Sequence, residues 1–460
     1  MKRRKDGSLS KSKKSSNHEG TKMINKIKNF KLDSFFRNVV VLASGTILSQ
    51  IIILVTLPII TRLYNPSEYG VYSMYTSIIS IMLMMTSFSY ENAITLPSKD
   101  KTASSLLSLS LRICALVSLI GGVGVYFLAH PLSVWTNEPD VQRYFIFFIA
   151  SLFFSGFYQI LNGWSIRKKY FREISKTKLS QSLSLVSSQL LFSGIFRGPL
   201  GLILGDVIGR LGGVIPQWKL WRKDVKQESM HSNWAEMKEV ASRYKRFPLL
   251  SLPSNMLNSF GIYLPTILFA AFYGPEVAGW FALGQRILGS PMTLITSSVM
   301  NVYLSESSNY MLYTPHKLYP LFKRTVRNIF IIGLLIVLVM VFIAPATFAF
   351  LFGEAWANSG QIVQILGVMY LSQFVANSVG STIDVMERQD LHLYREIGRI
   401  IIVLGAVLLA YFSGQSAVTA ILWFSLAATL GYLLHLGMSW FALRKYRNLP
   451  EPEEVELRGS

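Results

Sequence analysis

Twelve long apolar segments account for most of this chain, and they restrict its fold more than any other feature. A helix that crosses a bilayer needs about 20 mostly apolar residues, because each residue advances it by about 1.5 Å across roughly 30 Å of hydrocarbon. Such segments lie near residues 39–61, 70–96, 103–129, 142–165, 177–197, 199–218, 248–272, 276–304, 321–344, 359–385, 393–412 and 417–441. Only 15% of the residues are charged, against about 25% in soluble domains. The sequence therefore predicts an all-α integral membrane protein with about twelve transmembrane helices.

The 45 Lys and Arg residues fall predominantly on one side of these segments. The two ends of the chain and every second loop carry most of them, whereas the alternate loops contain only Arg62, Arg143 and Arg197. Cytoplasmic loops of membrane proteins are enriched in Lys and Arg. This alternation predicts an even number of spans with both termini in the cytoplasm. The net charge of +20 is thereby explained without a nucleic-acid partner.

The two halves of the chain share a motif at the outer turn before their second span. Asn65-Pro66 followed by Gly70 recurs as Gly274-Pro275 followed by Gly279. Each half has six spans and begins inside, so the repeat is parallel, and transporters built in this way carry substrate between their halves. A chance recurrence of Pro-x-x-x-Gly at helix starts is the alternative. The predicted parts are a basic, largely disordered cytoplasmic tail (1–37), an N-lobe (38–220), a cytoplasmic linker (221–247), a C-lobe (248–445) and a cytoplasmic C-terminal tail (446–460).

Several helix ends carry motifs that resemble a known family. They are Leu57-Pro58-Ile59-Ile60-Thr61-Arg62-Leu63-Tyr64, Glu68-Tyr69-Gly70-Val71-Tyr72, Tyr90-Glu91-Asn92-Ala93-Ile94, Tyr244-Lys245-Arg246-Phe247-Pro248 and Arg286-Ile287-Leu288-Gly289-Ser290-Pro291. In this order they resemble the bacterial polysaccharide flippases (Wzx-type, for O-antigen and capsule) of the multidrug/oligosaccharidyl-lipid/polysaccharide exporter superfamily. The resemblance covers roughly residues 38–445.

The resemblance implies two six-helix lobes around a central cavity in the bacterial plasma (inner) membrane. It also implies a flippase that moves undecaprenyl-diphosphate-linked oligosaccharide from the inner to the outer leaflet by alternating access, for cell-surface polysaccharide assembly. A coupling cation, H+ or Na+, and polysaccharide assembly proteins are further candidate partners, and a monomer is expected.

Three arginines lie deep inside predicted spans: Arg112, Arg210 and Arg286. Each is roughly 15 Å from its end of the helix, where a charged group is costly and usually functional. A diphosphate headgroup requires positive charge, and guanidinium pairs bidentately with phosphate oxygens. Arg286 is the first candidate because no acid lies within one helical turn of it; a buried pair with an acid on another helix is the alternative.

The other candidates leave two interpretations open. Asp206 precedes Arg210 by one helical turn, so the two form a structural ion pair, or Arg210 contacts substrate and Asp206 couples transport to a cation. Arg112 faces the cavity or reaches the cytoplasmic surface. Arg62 at an outer helix end contacts late substrate and gates, or it snorkels to water. Glu91 near an inner helix end forms a gate or cation site, or it is solvated.

The chain contains no metal-ligand cluster, no nucleophile constellation and no phosphate-binding glycine loop. We therefore expect no catalytic residue, no metal and no cofactor. His435, alone on an apolar stretch, is interpreted as structural. Two other functions compete with a flippase. An ion-coupled multidrug exporter on the same fold would favour acids in its cavity, and a membrane glycan polymerase or ligase would need a long outer catalytic loop, yet no outer loop exceeds about 14 residues.

Overall fold

The computed structural model of the 460-residue protein describes residues 34–136, 144–227, 232–386 and 388–446. Within these ranges almost every residue is helical and no β-strand occurs. Each of the twelve predicted spans corresponds to a long helix. The predicted N-terminal tail lies almost entirely outside the described residues, as does most of the C-terminal tail.

Six long helices form the first half of the chain: α1 (Ser34–Leu63), α2 (Pro66–Leu83), α3 (Asp100–Thr136), α4 (Phe145–Arg167), α5 (Phe171–Ser193) and α6 (Leu200–Gln227). A short helix, α7 (Trp234–Arg243), and a π-helical turn (Phe247–Ser251) lead into the second half. The second half contains α8 (Leu252–Tyr273), α9 (Pro275–Tyr313), α10 (Leu318–Phe352), α11 (Ala357–Ser378), the short α12 (Thr382–Val385), α13 (Gln389–Phe412) and α14 (Ala417–Leu443). Four 3-10 turns complete the described chain: Tyr90–Ala93, Pro315–Lys317, Glu354–Trp356 and Arg444–Tyr446.

Nine helical segments of the described chain are long and apolar enough to cross a membrane. The other three predicted spans, α2, α5 and α13, are also helices, but they are shorter or more polar. Helix α5 remains within the bundle because glycines of α6 let the two backbones approach closely. A Cβ atom on Gly205 would lie 2.4 Å from Gln189, and one on Gly209 would lie 2.8 Å from Leu185. Small residues are what permit such close packing between membrane helices.

The two halves of the chain pack their helices in the same pattern. In the first half α4 contacts α2, α3 and α6, while α5 contacts α1 and α6. In the second half α11 contacts α9, α10 and α14, while α13 contacts α8 and α14. The predicted parallel repeat of two six-helix lobes is therefore confirmed.

The lobes meet where α2 crosses α9. A Cβ atom on Gly70 would lie 1.7 Å from the carbonyl oxygen of Pro275, and one on Gly279 would lie 1.9 Å from the carbonyl oxygen of Pro66. Only residues without a side chain allow two helix backbones to approach this closely. The motif that repeats in the sequence thus forms a reciprocal contact between the lobes, related by the pseudo-symmetry of the fold.

We expect the substitution Gly279→Ala to lower the melting temperature of the purified protein in detergent. The added methyl group cannot fit against the Pro66 carbonyl, so α2 and α9 must separate, and overpacking of this kind costs about 1–3 kcal/mol. Gly405→Ala on α13 is the matched control, because nothing lies within 4 Å of its Cβ position. Equal melting temperatures for the two variants would contradict the close contact.

Candidate functional site

Two neighbouring cavities form the space between the lobes. The larger has a volume of about 490 Å³ and is lined mainly by α9, including Arg286. The smaller has a volume of about 330 Å³ and is lined mainly by α5 and α6, including Arg210. Thr46 and Gln50 of α1 border both cavities. They are therefore two parts of one central cavity, which we call the C-lobe compartment and the N-lobe compartment.

Arg286 lies in the wall of the C-lobe compartment and reaches the opposite lobe. Its Nη1 donates a hydrogen bond of 3.2 Å to the hydroxyl of Tyr69 on α2. Tyr69 is itself held by edge-to-face contacts with Tyr72 and Trp356. Among the described residues no carboxylate lies within ion-pair distance of Arg286. The described residues therefore contain no acid that pairs with Arg286. Its positive charge faces the cavity, and its hydrogen-bond partner is the neutral Tyr69 hydroxyl.

Arg210 and Asp206 form the ion pair that their spacing allows, and both border the N-lobe compartment. Arg210 Nε lies 2.6 Å from Asp206 Oδ2, and Arg210 Nη1 donates to Ser155. The hydroxyl of Ser151 donates to Asp206 over 3.3 Å and accepts a 2.9 Å bond from Tyr75. These contacts join α2, α4 and α6 inside the N-lobe. Arg210 thus combines a structural partner with a position in the cavity wall.

Lys178 is a cationic wall residue that sequence reasoning missed. It lies on α5 in the N-lobe compartment, and its Nζ donates to Thr46 Oγ1 over 2.7 Å. The residue falls at the inner boundary of a predicted span, where it is counted among the loop charges. The polarity of α5 is the signal that could have identified it, because a polar helix inside a membrane bundle must turn its polar face inward. In the described walls, three cationic side chains stand against the single carboxylate of Asp206.

The structure corrects the prediction that Arg112 faces the cavity. Its side chain is exposed on the outside of the N-lobe, and its guanidinium lies 5.6 Å from the ring centroid of Trp234. Helix α7 brings Trp234 there by packing against α3 through Met237 and Val240, both buried. Stacking on an aromatic face stabilises the cation. The linker therefore supplies the partner that the spans alone could not reveal.

Arg62 joins the lobes at the end of the bundle that the charge distribution predicts to be outside. Its Nη2 donates to the carbonyl of Phe350 over 2.8 Å, and its Nε donates to that of Leu351 over 3.4 Å. Both carbonyls belong to the last turn of α10, where a cation is favoured by the helix dipole. Trp356 Nε1 donates in the other direction, to the Thr61 carbonyl over 2.8 Å. We call these bonds the outer clasp; Arg62 belongs to it and does not line either compartment.

Glu91 is buried, with 6% of its surface exposed, so the alternative of a solvated acid is wrong. Its carboxylate accepts hydrogen bonds from Ser87 and, over 2.9 Å, from Gln159. No basic side chain in the described ranges pairs with it. The preceding residues Phe88 and Ser89 have φ of 51° and 61°, in a region that non-glycine residues rarely occupy and that often marks functional sites. No cluster of His, Cys, Asp or Glu suited to a metal occurs in the described chain.

Residues 59–361 match the family described as polysaccharide biosynthesis protein. The chain belongs to this family. It is also 20% identical over 235 residues to the teichuronic acid biosynthesis protein TuaB of Bacillus subtilis (strain 168), a stretch that covers 51% of this chain and 47% of TuaB. The chain therefore spans about half the length of the curated relative that it matches.

Solved structures of two transporters are similar in fold. One is an inward-facing multidrug resistance MATE family transporter of the MOP superfamily, with a TM-score of 0.69, 12% identity, and coverage of 85% of this chain and 95% of that one. The other is the lipid II flippase MurJ in an inward closed conformation, with a TM-score of 0.66, 12% identity, and coverage of 89% and 90%. The predicted resemblance is confirmed: this is a multi-pass membrane protein of a polysaccharide biosynthesis family, with a fold that known transporters share.

We expect Asp206→Asn to destabilise the protein, because it leaves Arg210 without a countercharge inside the N-lobe. Breaking a buried pair in this way costs about 3 kcal/mol, less here because 21% of the Arg210 side chain is exposed to the cavity. Unfolding by SDS, followed by tryptophan fluorescence, measures the change. The double variant Asp206→Asn/Arg210→Met removes both charges and is expected to recover most of the loss. A single variant as stable as the wild type would refute a stabilising ion pair.

We expect Arg62→Gln to weaken the outer clasp and increase the population in which the outer ends of the lobes are apart. A cation at a helix C-terminus contributes about 0.3–1 kcal/mol, so the ratio of populations should change about two- to fivefold. Spin labels at Ile195→Cys and Phe412→Cys, both exposed positions on opposite lobes, report the distance by electron paramagnetic resonance. The native Cys114 is buried and should remain unlabelled. Distance distributions that match those of an Arg112→Gln control would exclude a clasp role.

Proposed function

We propose that this protein is a flippase that moves undecaprenyl-diphosphate-linked oligosaccharide from the inner to the outer leaflet for cell-surface polysaccharide assembly. The observation that carries the proposal is Arg286, a half-buried arginine in the wall of the C-lobe compartment whose hydrogen-bond partner is the neutral Tyr69 hydroxyl. No carboxylate of the described chain lies within ion-pair distance of this charge, and a diphosphate supplies a direct partner in the bidentate geometry that guanidinium prefers.

The remaining wall groups fit the other parts of such a substrate. Lys178 and Arg210 add positive charge across α1 from Arg286. Thr46, Gln50 and Ser290 present hydroxyl and amide groups that can exchange hydrogen bonds with sugars. The polyprenyl tail stays in the bilayer, because transferring this apolar chain into a polar cavity would be unfavourable. Membership of a polysaccharide biosynthesis family and a fold shared with a lipid II flippase support this assignment.

In the proposed cycle the outer clasp closes the cavity on one side of the membrane while substrate enters from the cytoplasmic side. In this orientation both termini face the cytoplasm, as the distribution of Lys and Arg indicates. Asp206 and Glu91 are the proposed sites where H+ or Na+ acts. Protonation or ion binding at Asp206 would free Arg210 for the diphosphate, which couples the cation to substrate contact. We propose that the monomer, with one cavity between its own lobes, is the transporting unit.

A multidrug exporter is the nearest alternative, since a multidrug transporter shares the fold. The described cavity walls argue against cationic drugs, because their three cationic side chains would repel such a substrate and only Asp206 would attract it. A polymerase or ligase for lipid-linked glycans would need room for catalytic groups at the outer surface. Among the described outer turns, Gly274 alone separates α8 from α9, and two residues separate α1 from α2.

Translocation by purified protein in proteoliposomes tests the function directly. Undecaprenyl-diphosphate oligosaccharide is placed in the membrane, and its appearance in the opposite leaflet is followed. We expect Arg286→Ala to slow translocation about 10- to 100-fold, because a charge-assisted hydrogen bond contributes about 1.5–3 kcal/mol. Arg286→Lys should keep part of the rate.

Arg112→Ala is the matched control, since this arginine lies outside both compartments. It is expected to translocate at nearly the wild-type rate. Equal rates for Arg286→Ala and wild type would remove Arg286 from the substrate site. If the wild type moves no lipid but expels a cationic dye, the flippase assignment itself is wrong.

A further inference from the structure

The C-lobe contains a second polar cluster, separate from the central compartments. Four helices, α8, α11, α13 and α14, surround a small cavity of about 90 Å³. Arg395, Glu396 and Arg399 of α13 and Tyr432 and His435 of α14 contribute to its wall. The proposed substrate path uses none of these side chains.

The hydrogen bonds of this cluster leave an excess of positive charge. Glu396 accepts from Arg395 at one carboxylate oxygen and from Arg399 Nη2, over 2.6 Å, at the other. Arg399 Nη1 donates to the Tyr432 hydroxyl over 3.2 Å, and Arg395 Nη1 lies 3.0 and 3.2 Å from the two ring nitrogens of His435. Two guanidinium groups therefore share one carboxylate. Within the described part of the chain, no other carboxylate borders the cavity.

Arg399 is built into the site and yet lacks one hydrogen-bond partner. Its Nε is buried and has no acceptor among the described residues. Two glycines make room for its side chain: a Cβ atom on Gly261 would lie 2.4 Å from Arg399 Nη2, and one on Gly431 would lie 3.1 Å from Arg399 Cγ. An unpaired buried donor on a charged group is unfavourable. Arg399 is therefore fixed in place by Glu396, Tyr432 and the two glycines, with one donor left unpaired.

The charged groups of the wall are unbalanced, since two guanidinium groups contact one carboxylate. Asn258, Gln373 and Asn377 border the same cavity with amide groups that can turn their NH2 inward. A metal cation would find a single carboxylate, and both oxygens of that carboxylate already accept from guanidinium groups. A buried positive charge without a counterion is strongly destabilising. The chemistry of the wall therefore suits an anion.

We propose that this cavity binds a small monovalent inorganic anion of the size of chloride. The cavity of about 90 Å³ has room for such an ion together with water. The bound anion neutralises the excess guanidinium and links α13 to the helices around it. It thereby stabilises the C-lobe independently of the substrate in the central cavity.

Halide binding is tested on the full-length protein in detergent by comparing melting temperatures in sodium chloride and sodium gluconate at equal ionic strength. We expect chloride to raise the melting temperature saturably, by about 2 °C or more. Arg399→Gln should abolish the difference between the salts, whereas Arg112→Gln and Arg286→Gln should keep it. A difference that survives in Arg399→Gln, or no difference in the wild type, would overturn the proposal.

Crystals of the wild-type protein grown in sodium bromide provide a test that needs no variant. We expect an anomalous bromide peak between Arg395 and Arg399, inside the small cavity that α8, α11, α13 and α14 surround. A map without that peak at a saturating bromide concentration would refute the site. If phosphate raises the melting temperature, chloride does not, and Arg399→Gln abolishes the effect of phosphate, this cavity binds a phosphate group and the halide assignment is wrong. These outcomes test the anion site alone, and translocation by the central cavity is tested separately by the proteoliposome experiment.

Discussion

The backbone contact between Gly70 and Gly279 is the constraint on which the arrangement of the two lobes depends. It fixes more than the distance between α2 and α9, because each glycine is close in sequence to a functional side chain. Tyr69 directly precedes Gly70, and Arg286 lies two helical turns after Gly279. The contact thus positions a hydroxyl from one lobe against a guanidinium from the other, at 3.2 Å. The motif that joins the lobes therefore also positions Arg286 in the cavity wall.

The chain keeps buried charges in two different ways, and the difference separates stability from binding. Arg210 has Asp206 and Ser155 as partners, so its charge is balanced within the N-lobe. Among the described residues Arg286 has a phenol as its partner, so part of the cost of desolvating its charge remains uncompensated. In the proposed function an anionic substrate would recover that cost when it binds. Binding free energy is greatest where the free site is held in place without a competing partner.

The pattern of apolar segments and basic loops was sufficient to predict the twelve helices, and the Pro-x-x-x-Gly repeat predicted two equivalent halves. The contact that its glycines form between the lobes became visible only in the structure. The hydropathy pattern did not identify cavity-lining charges on a helix that is polar but enclosed by other helices. Lys178 on α5 was assigned to a loop, although α1 and α6 hold that helix inside the bundle. Arg395 and Arg399 lie at the polar start of the predicted span 393–412, and nothing in the sequence indicated a site there. The prediction that Arg112 faces the cavity was wrong for another reason. Its partner, Trp234, belongs to the linker, and the sequence of a single span does not predict how the linker packs.

The chemistry of the outer clasp fits a contact that has to open. Arg62 and Trp356 both donate to backbone carbonyls, Phe350 and Thr61, so each bond is modest and has an alternative partner in water. At the Gly70–Gly279 contact the two backbones meet with no side chain between them, while neighbouring residues of α2 and α9, such as Tyr72 and Phe281, are buried in the core. Two states that differ by a few kcal/mol are what a ligand can interconvert. In the proposed cycle the glycine contact is therefore the pivot, and the clasp sets the balance between its two sides.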